Sequence, residues 1–290
     1  MKRNPSTLML AIILMFSASA AEADNRDLWE QLNSDYRYKV LTLRRFYEGD
    51  HLRFLSDGKL LGDASVGPWT LNGRVEVKEL RVKGALIEIK ARRVQIAFAS
   101  SGGADVAPVD VLTTLDRLSG KQREQLEKSL RKNEVTIEIE LPRGEPNEDE
   151  ISTAMHAVFL MPGESMFESV PVYWRSYFAK LEDRPSSAPV PEGQIYRPGR
   201  SGVKSPRAIY NRDPEYSEAA RRAKYQGTGV LSLVVDASGT TRDIQVQRPL
   251  GLGLDERAVE AISTWRFDPA EKDGVPVAAM VNVEVSFHLY

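Results

Sequence analysis

Few side chains in this sequence could do chemistry, and their spacing argues against most of it. There are three histidines, His51, His156 and His288, and no cysteine. Without cysteine there is no disulfide, no thiolate ligand, no thiol nucleophile and no attachment point for a lipid. The histidines lie far apart with no HExxH-type spacing, so nothing predicts a zinc site. No GxSxG motif occurs. Glu138 and Glu140 share one face of an alternating segment, where paired carboxylates could do acid–base work. With no third group beside them they read as a solvated strand face. Gly251 and Gly253 follow Pro249 without the further glycine or lysine of a phosphate loop, and they read as a tight turn. Trp265 and Phe267 read as aromatics that close a small core, with Arg266 between them exposed or paired with a strand carboxylate. These readings predict a non-enzymatic protein with no cofactor and no metal.

Charge adds little. Lysine and arginine number 39 against 41 acidic residues, a net charge of −2, so no bulk field favours nucleic acid. The short basic clusters Arg92-Arg93 and Arg221-Arg222 read as solvated faces.

The N-terminus carries an address. Lys2 and Arg3 precede an unbroken apolar run, Leu8 to Phe16, and small residues follow, with Ala18-Ser19-Ala20 and Ala21-Glu22-Ala23 both fitting a small-x-small cleavage site. This predicts a secretory signal peptide over residues 1–23 and an exported, periplasmic body. The alternative is a short inner-membrane anchor, although a span needs about 20 apolar residues.

The elements that must position everything else follow from periodicity. Residues 24–37 are polar and predict a short helix or arm. Residues 38–182 predict a mostly β domain with several helices. Ser56-Asp57-Gly58 predicts a hairpin turn, and Gly67-Pro68-Trp69 and Asn72-Gly73 two further turns. A phase change near Glu79 predicts a bulge, and a similar change separates Ile87 and Ile89 from Val94, Ile96 and Phe98. Val135 to Leu141 alternates as a strand with one wet face. Helices are predicted from Val109 through Leu118 and on to Leu130, over Glu150 to Phe159, and over Val172 to Leu181, the last stacking Trp174, Phe178 and Leu181 in the core. Residues 183–207 are Pro-rich and predict an extended linker. The stretch from Arg184 to Pro206, about 23 residues at ~3.1 Å each, would span up to ~70 Å.

Residues 208–290 predict a helix opened by Asp213-Pro214, a hairpin turning at Asp236 to Gly239, a helix over Leu254 to Thr264, a turn at Asp273-Gly274 and a long final strand. That order predicts an α+β layer, two helices packed on a three-stranded antiparallel sheet. In the final strand Val281, Val283, Val285, Phe287 and Leu289 face in, while Met280, Asn282, Glu284, Ser286 and His288 face out.

The ordered series Pro214-x-Tyr216, Gly229-Val230, Val235-Asp236-x-x-Gly239, Gly251-x-Gly253-Leu254-Asp255, Ala258, Ala261, Trp265-Arg266-Phe267-x-Pro269-Ala270, Gly274-x-Pro276-Val277 and a terminal V-x-V-x-F-x-L strand resembles the C-terminal domain of the TonB family of energy transducers. The resemblance covers about residues 209–290. It makes Tyr216, Trp265 and Phe267 core residues of the family signature. It implies that an outer-membrane receptor or other envelope partner adds a short extended peptide as a strand to the sheet. The candidate edge is the final strand: Ala279, Met280, Val281, Asn282, Val283, Glu284, Val285, Ser286 and Phe287. If the N-terminus is uncleaved, the resemblance implies an inner-membrane proton-channel complex as a further partner. This sequence departs from the family in its cleavable-looking leader, in having no histidine before His51 and in its short linker. A soluble periplasmic adaptor without energy coupling, and a ligand-binding or enzymatic middle domain, therefore stand as alternatives.

Overall fold

The computed structural model describes residues 30–98, 108–110, 133–142, 144, 146–184, 194–199 and 202–289. The leader and the helices predicted between 111 and 130 lie outside the described residues. Residues 108–110 form a strand rather than the start of a helix.

After a helical stretch over 30–36, the first part of the chain runs β1 (Val40–Leu43), β2 (His51–Leu55), β3 (Leu60–Leu61), α1 (Trp69–Asn72), β4 (Arg74–Lys83), β5 (Leu86–Arg93), β6 (Ile96–Phe98), β7 (Pro108–Asp110), β8 (Glu134–Glu140), α2 (Glu148–Val158), β9 (Phe159–Leu160) and α3 (Val172–Leu181). Seven of these strands make one sheet in the order β3-β2-β8-β5-β4-β1-β9. Only β2 and β8 are parallel neighbours in it.

Local chemistry accounts for many of these boundaries. Gly58, at φ +82°, turns the β2–β3 hairpin. A register shift between Val77 and Glu79 is the bulge that the phase change predicts. Asn147 caps α2 reciprocally: Glu150 N–H donates to its Oδ1 at 3.0 Å, and Asn147 N–H donates to Glu150 Oε2 at 3.1 Å.

Further expectations for this part of the chain need correction. Gly67 to Gly73 is a single helical turn rather than two reverse turns, and Gly73 sits at φ −79°, so positive φ is not its reason. A Cβ there would collide with the Trp69 carbonyl oxygen. Secondly, the phase change after Ile89 is a strand end: β5 stops at Arg93 and β6 begins a separate ladder with β7. Thirdly, Arg93 is not on a solvated face. It is 7% exposed and donates to the carbonyls of Asn72 (2.9 Å), Tyr47 (2.8 Å) and Gly49 (2.9 Å). Lastly, Leu181 is 57% exposed, and Tyr177 takes its place beside Trp174 and Phe178.

The second part runs β10 (Val203–Lys204), β11 (Arg207–Tyr210), α4 (Glu218–Ala223), β12 (Gly227–Val235), β13 (Thr241–Arg248), α5 (Leu254–Ser263), β14 (Arg266–Asp268), β15 (Ala270–Lys272), β16 (Val275–Val277) and β17 (Ala279–Phe287). The first helix here starts at Ser217, not at Asp213-Pro214. The Ser217 hydroxyl accepts from Ala220 N–H at 3.0 Å, so serine supplies the cap that the aspartate was expected to give. Lys224, at φ +51°, ends the helix before Gly227 is reached. β12 and β13 form the predicted hairpin, with Asp236 Oδ1 accepting from the N–H groups of Ser238 and Thr240 in its turn. The sheet order is β13-β12-β17, antiparallel throughout. The molecule is thus a mixed α+β protein with several sheets.

One continuous buried core links both parts. At its centre Trp69, Phe98, Trp174, Tyr177 and Phe178 form an aromatic cluster, with Trp69 and Trp174 edge to face at 5.2 Å. α3 packs along β13 of the C-terminal sheet.

Candidate docking edge

β17 is the last strand of its sheet, paired along its whole length with β12 from Val235↔Ala279 to Gly227↔Phe287. Its alternation is the reason it forms. Val285 and Phe287 are buried, Val281 and Val283 half-buried against the core, and Asn282, Glu284 and Ser286 exposed. Ala279 is buried and Met280 half-buried.

Which backbone groups face outward can be read from one contact. Tyr196 N–H donates to the Ala278 carbonyl at 2.9 Å, and Met280 N–H donates to the Tyr196 carbonyl at 2.9 Å. Tyr196 therefore sits on the outer side of β17, as a parallel bridge to Ala279. In a strand the N–H and C=O of one residue point the same way, and successive residues alternate. Met280, Asn282, Glu284 and Ser286 thus direct their backbone groups away from β12, and the odd-numbered residues direct theirs into the ladder. Tyr196 occupies the first outward position. From Asn282 onward the edge carries no partner strand among the described residues.

One aromatic ring packs against the end of β17. The Tyr216 ring meets Phe287 edge to face at 5.4 Å, and its hydroxyl donates to the Tyr225 carbonyl at 3.1 Å. Tyr216 is half-buried. Trp265 and Phe267 are each 8% exposed, with ring centroids 6.3 Å apart, and Trp265 Nε1–H donates to the Arg212 carbonyl at 2.9 Å. Arg266 is exposed and hydrogen bonds to the carbonyls of Thr264 and Trp265, rather than to a strand carboxylate.

The opposite flank of the sheet is covered by the chain itself. Ser176 and Lys180 of α3 donate to Gln245 and Gln247 of β13 at 3.0 Å and 2.6 Å. Nearby, Trp174 Nε1–H donates to Glu256 at 2.9 Å. β6 reaches the loop before α5: Phe98 N–H donates to the Leu250 carbonyl (2.9 Å) and Leu252 N–H to the Ile96 carbonyl (2.8 Å). Gly251, at φ +82°, is required there, since a Cβ would run into the Ile96 carbonyl oxygen. The Gly251-x-Gly253 pair is therefore a tight turn on which the two parts of the chain meet.

Asp255 holds that loop. It is 2% exposed and accepts from the N–H groups of Leu250 (2.9 Å) and Gly251 (2.6 Å). Burial and the neighbouring Glu256 push its carboxyl above the usual range. Burial likewise pushes up Glu256, whose Oε2 is sealed from solvent without a partner. Sequence reasoning passed over this Asp-Glu pair, whose only local signal is two adjacent carboxylates at a helix start.

The remaining candidates stay apart from the edge. Glu138 bridges to His51 Nε2 (3.2 Å) and Arg53 Nε (3.3 Å), and Glu140 pairs with Arg53, so this face is a set of ion pairs on the seven-stranded sheet. Among the described residues no group of histidines and carboxylates is placed to hold a metal, and no helix is long and apolar enough to cross a membrane.

Residues 212–289 match the family model for the Gram-negative bacterial TonB protein C-terminal. This segment is a TonB C-terminal domain. Over 82 residues the chain is 38% identical to Protein tonB2 of Pseudomonas aeruginosa, covering 28% of this chain and 30% of that one. Over 77 residues it is 36% identical to Protein TonB of Vibrio cholerae, covering 26% and 32%. The chain thus spans about a third of the length of the curated relatives it matches. The solution NMR structure of the Pseudomonas aeruginosa TonB CTD aligns at 20% identity with a TM-score of 0.25, covering 34% of this chain and 99% of that one. β12, β13, α5 and β17 all lie inside the TonB-matching segment, whereas α3 and β6, which brace it, lie outside.

Proposed function

We propose that this chain is an exported cell-envelope protein whose TonB C-terminal domain docks an extended peptide of an outer-membrane receptor or other envelope partner, in energy-coupled transport across the outer membrane. The docking is strand addition to β17. The observation that carries it is the open outer edge from Asn282 to Ser286, in a sheet whose other flank is braced by α3. An edge with unpaired N–H and C=O groups is a template for another chain. Three outward residues offer three donors and three acceptors. At roughly 1 kcal/mol net per hydrogen bond, partly offset by ordering the peptide, contact is weak and reversible. In this reading α4 and α5 form the helical layer over the three strands. The working division is a leader over 1–23, a middle domain over 38–182, a linker over 183–207 and the docking domain over 208–290. The middle domain serves as a brace rather than as a catalyst. An inner-membrane proton-channel complex is the second partner if the leader stays attached.

The test pairs single cysteines, since the chain has none of its own. Asn282→Cys, matched with a cysteine in the N-terminal segment of an outer-membrane receptor from the same cell, should form a disulfide faster than Gln247→Cys on the braced side. Equal rates would remove the edge from the account.

A second reading, a cleaved periplasmic adaptor without energy coupling, draws on the described part of the linker. Tyr196 bridges to β17, and Val203 is buried with Ala270 and Ala279, so these residues lie against the domain instead of extending toward a membrane. The intact mass of the mature protein separates the two readings. Loss of about 20 N-terminal residues favours the adaptor.

A further inference from the structure

We propose that Glu284 selects a docking strand that carries a lysine or arginine beside it; this rests on the strand-addition reading above. Tyr196 takes the outward carbonyl of Ala278 and the outward N–H of Met280, so the free outward N–H groups of β17 begin at Asn282. The ladder with β12 ends at Phe287. Glu284 is therefore the midpoint of the free stretch Asn282–Ser286. Every added strand long enough to bond this edge must place one side chain next to it.

The three exposed side chains on this stretch are unequal. Ser286 Oγ already shares a hydrogen bond with Thr228 Oγ1 at 2.8 Å. Asn282 is uncharged and lies opposite Ser232, whose hydroxyl accepts from Gln247 at 2.9 Å. Glu284 is the one charge among the three and lies opposite Val230, which cannot answer it. Among the described residues Glu284 forms no ion pair. The nearest cation in its row is Arg248, which pairs with Val230 from the far side. Two strand spacings of about 4.8 Å put its backbone about 10 Å from that of Glu284. The position on the open side is thus the one directly adjacent place where the charge can be matched.

Directly opposed side chains on paired strands have Cβ atoms about 4.5–5.5 Å apart. Opposite charges there stabilise, and like charges oppose pairing. The pair is solvent-exposed, so the effect is modest and falls with salt. A partner segment with a basic residue at that position should bind about three- to ten-fold more tightly than one with an acidic residue.

The experiment uses the full chain and acetylated seven-residue peptides that alternate threonine and valine around a central lysine, threonine or glutamate. Affinity is read by NMR titration, and location by amide exchange on β17, for the wild type, Glu284→Gln and Glu284→Lys. Each variant is first checked for an unchanged melting temperature. The expected order is lysine over threonine over glutamate for the wild type, flattened in Glu284→Gln and inverted in Glu284→Lys, with the preference shrinking at 0.5 M salt, on the order of a 4 Å Debye length. If exchange slows on β17 but the three peptides bind alike, or the order survives Glu284→Lys, the charge selection is wrong and docking stands. If no peptide slows exchange between 282 and 286, the docking reading fails, and this inference with it.

Discussion

Val283 and Glu284 are neighbours in one strand, yet proline at each should have opposite consequences. Val283 directs its N–H into the ladder with β12, whereas Glu284 directs its N–H outward. Val283→Pro should cost on the order of 2 kcal/mol or more, because it removes a ladder bond and leaves an acceptor on β12 unmet. Glu284→Pro should leave the melting temperature within a few degrees and lose peptide binding, since proline is tolerated at the outward positions of an edge strand. Thermal melts and titrations of the two variants side by side check this. Asp255 and Glu256 give a second prediction. Both carboxyls are held above their ordinary range by burial, so the folded state keeps them neutral at a pH where the unfolded chain would ionise them. Their contribution to stability is complete below the ordinary carboxylate range, near pH 4, and is lost as pH rises through the raised folded values. Stability from this pair should therefore fall between pH 5 and pH 8. Glu256→Gln, which keeps an acceptor for Trp174, should flatten that slope in melts across the same window. A slope unchanged in the variant would assign the pH dependence to other groups.

At the scale of elements, α3 braces the C-terminal sheet from outside the TonB-matching segment. Trp174, fully buried, packs against Trp69 and Phe98 and bonds Glu256. Trp174→Ala should cost about 3–5 kcal/mol, measured by denaturant unfolding. The helix itself is legible in sequence, because Trp174 and Phe178 recur at helical spacing, as are β8 and β17 from strict alternation and the β12–β13 hairpin from Asp236 to Gly239. The misreadings have physical causes. Asp213-Pro214 carries helix-start chemistry that Ser217 also carries, and only the hydrogen bond to Ala220 decides between them. Arg93 continues an alternating strand, and nothing local tells that three carbonyls from elsewhere in the fold await its guanidinium. The pairing of α3 with β13 joins residues some 69 positions apart, as Ser176 and Gln245 are, and no periodicity within either element encodes it. The outward parity of β17 needed the Tyr196 contact, which lies in a segment read as linker. The strand's residues were legible, but the direction of its N–H groups was not.

Among the described residues the main buried core runs across both parts, from Leu43 to Phe287, beside a small separate cluster of Val203, Ala270 and Ala279. Heat should therefore unfold the chain in a single transition with matching calorimetric and van 't Hoff enthalpies. Two resolved transitions would mean that the parts fold independently and that α3 is only a loose cover. On the proposed docking at the open edge of β17, a partner should change little beyond that strand. Amide hydrogen exchange on the full chain, with and without the N-terminal segment of an outer-membrane receptor, tests that claim most directly. The account predicts slowed exchange at Asn282, Glu284 and Ser286, whose N–H groups face outward, with the odd-numbered amides of β17 already protected in the free protein. Binding that leaves those three amides unchanged, and protects another surface instead, would contradict it.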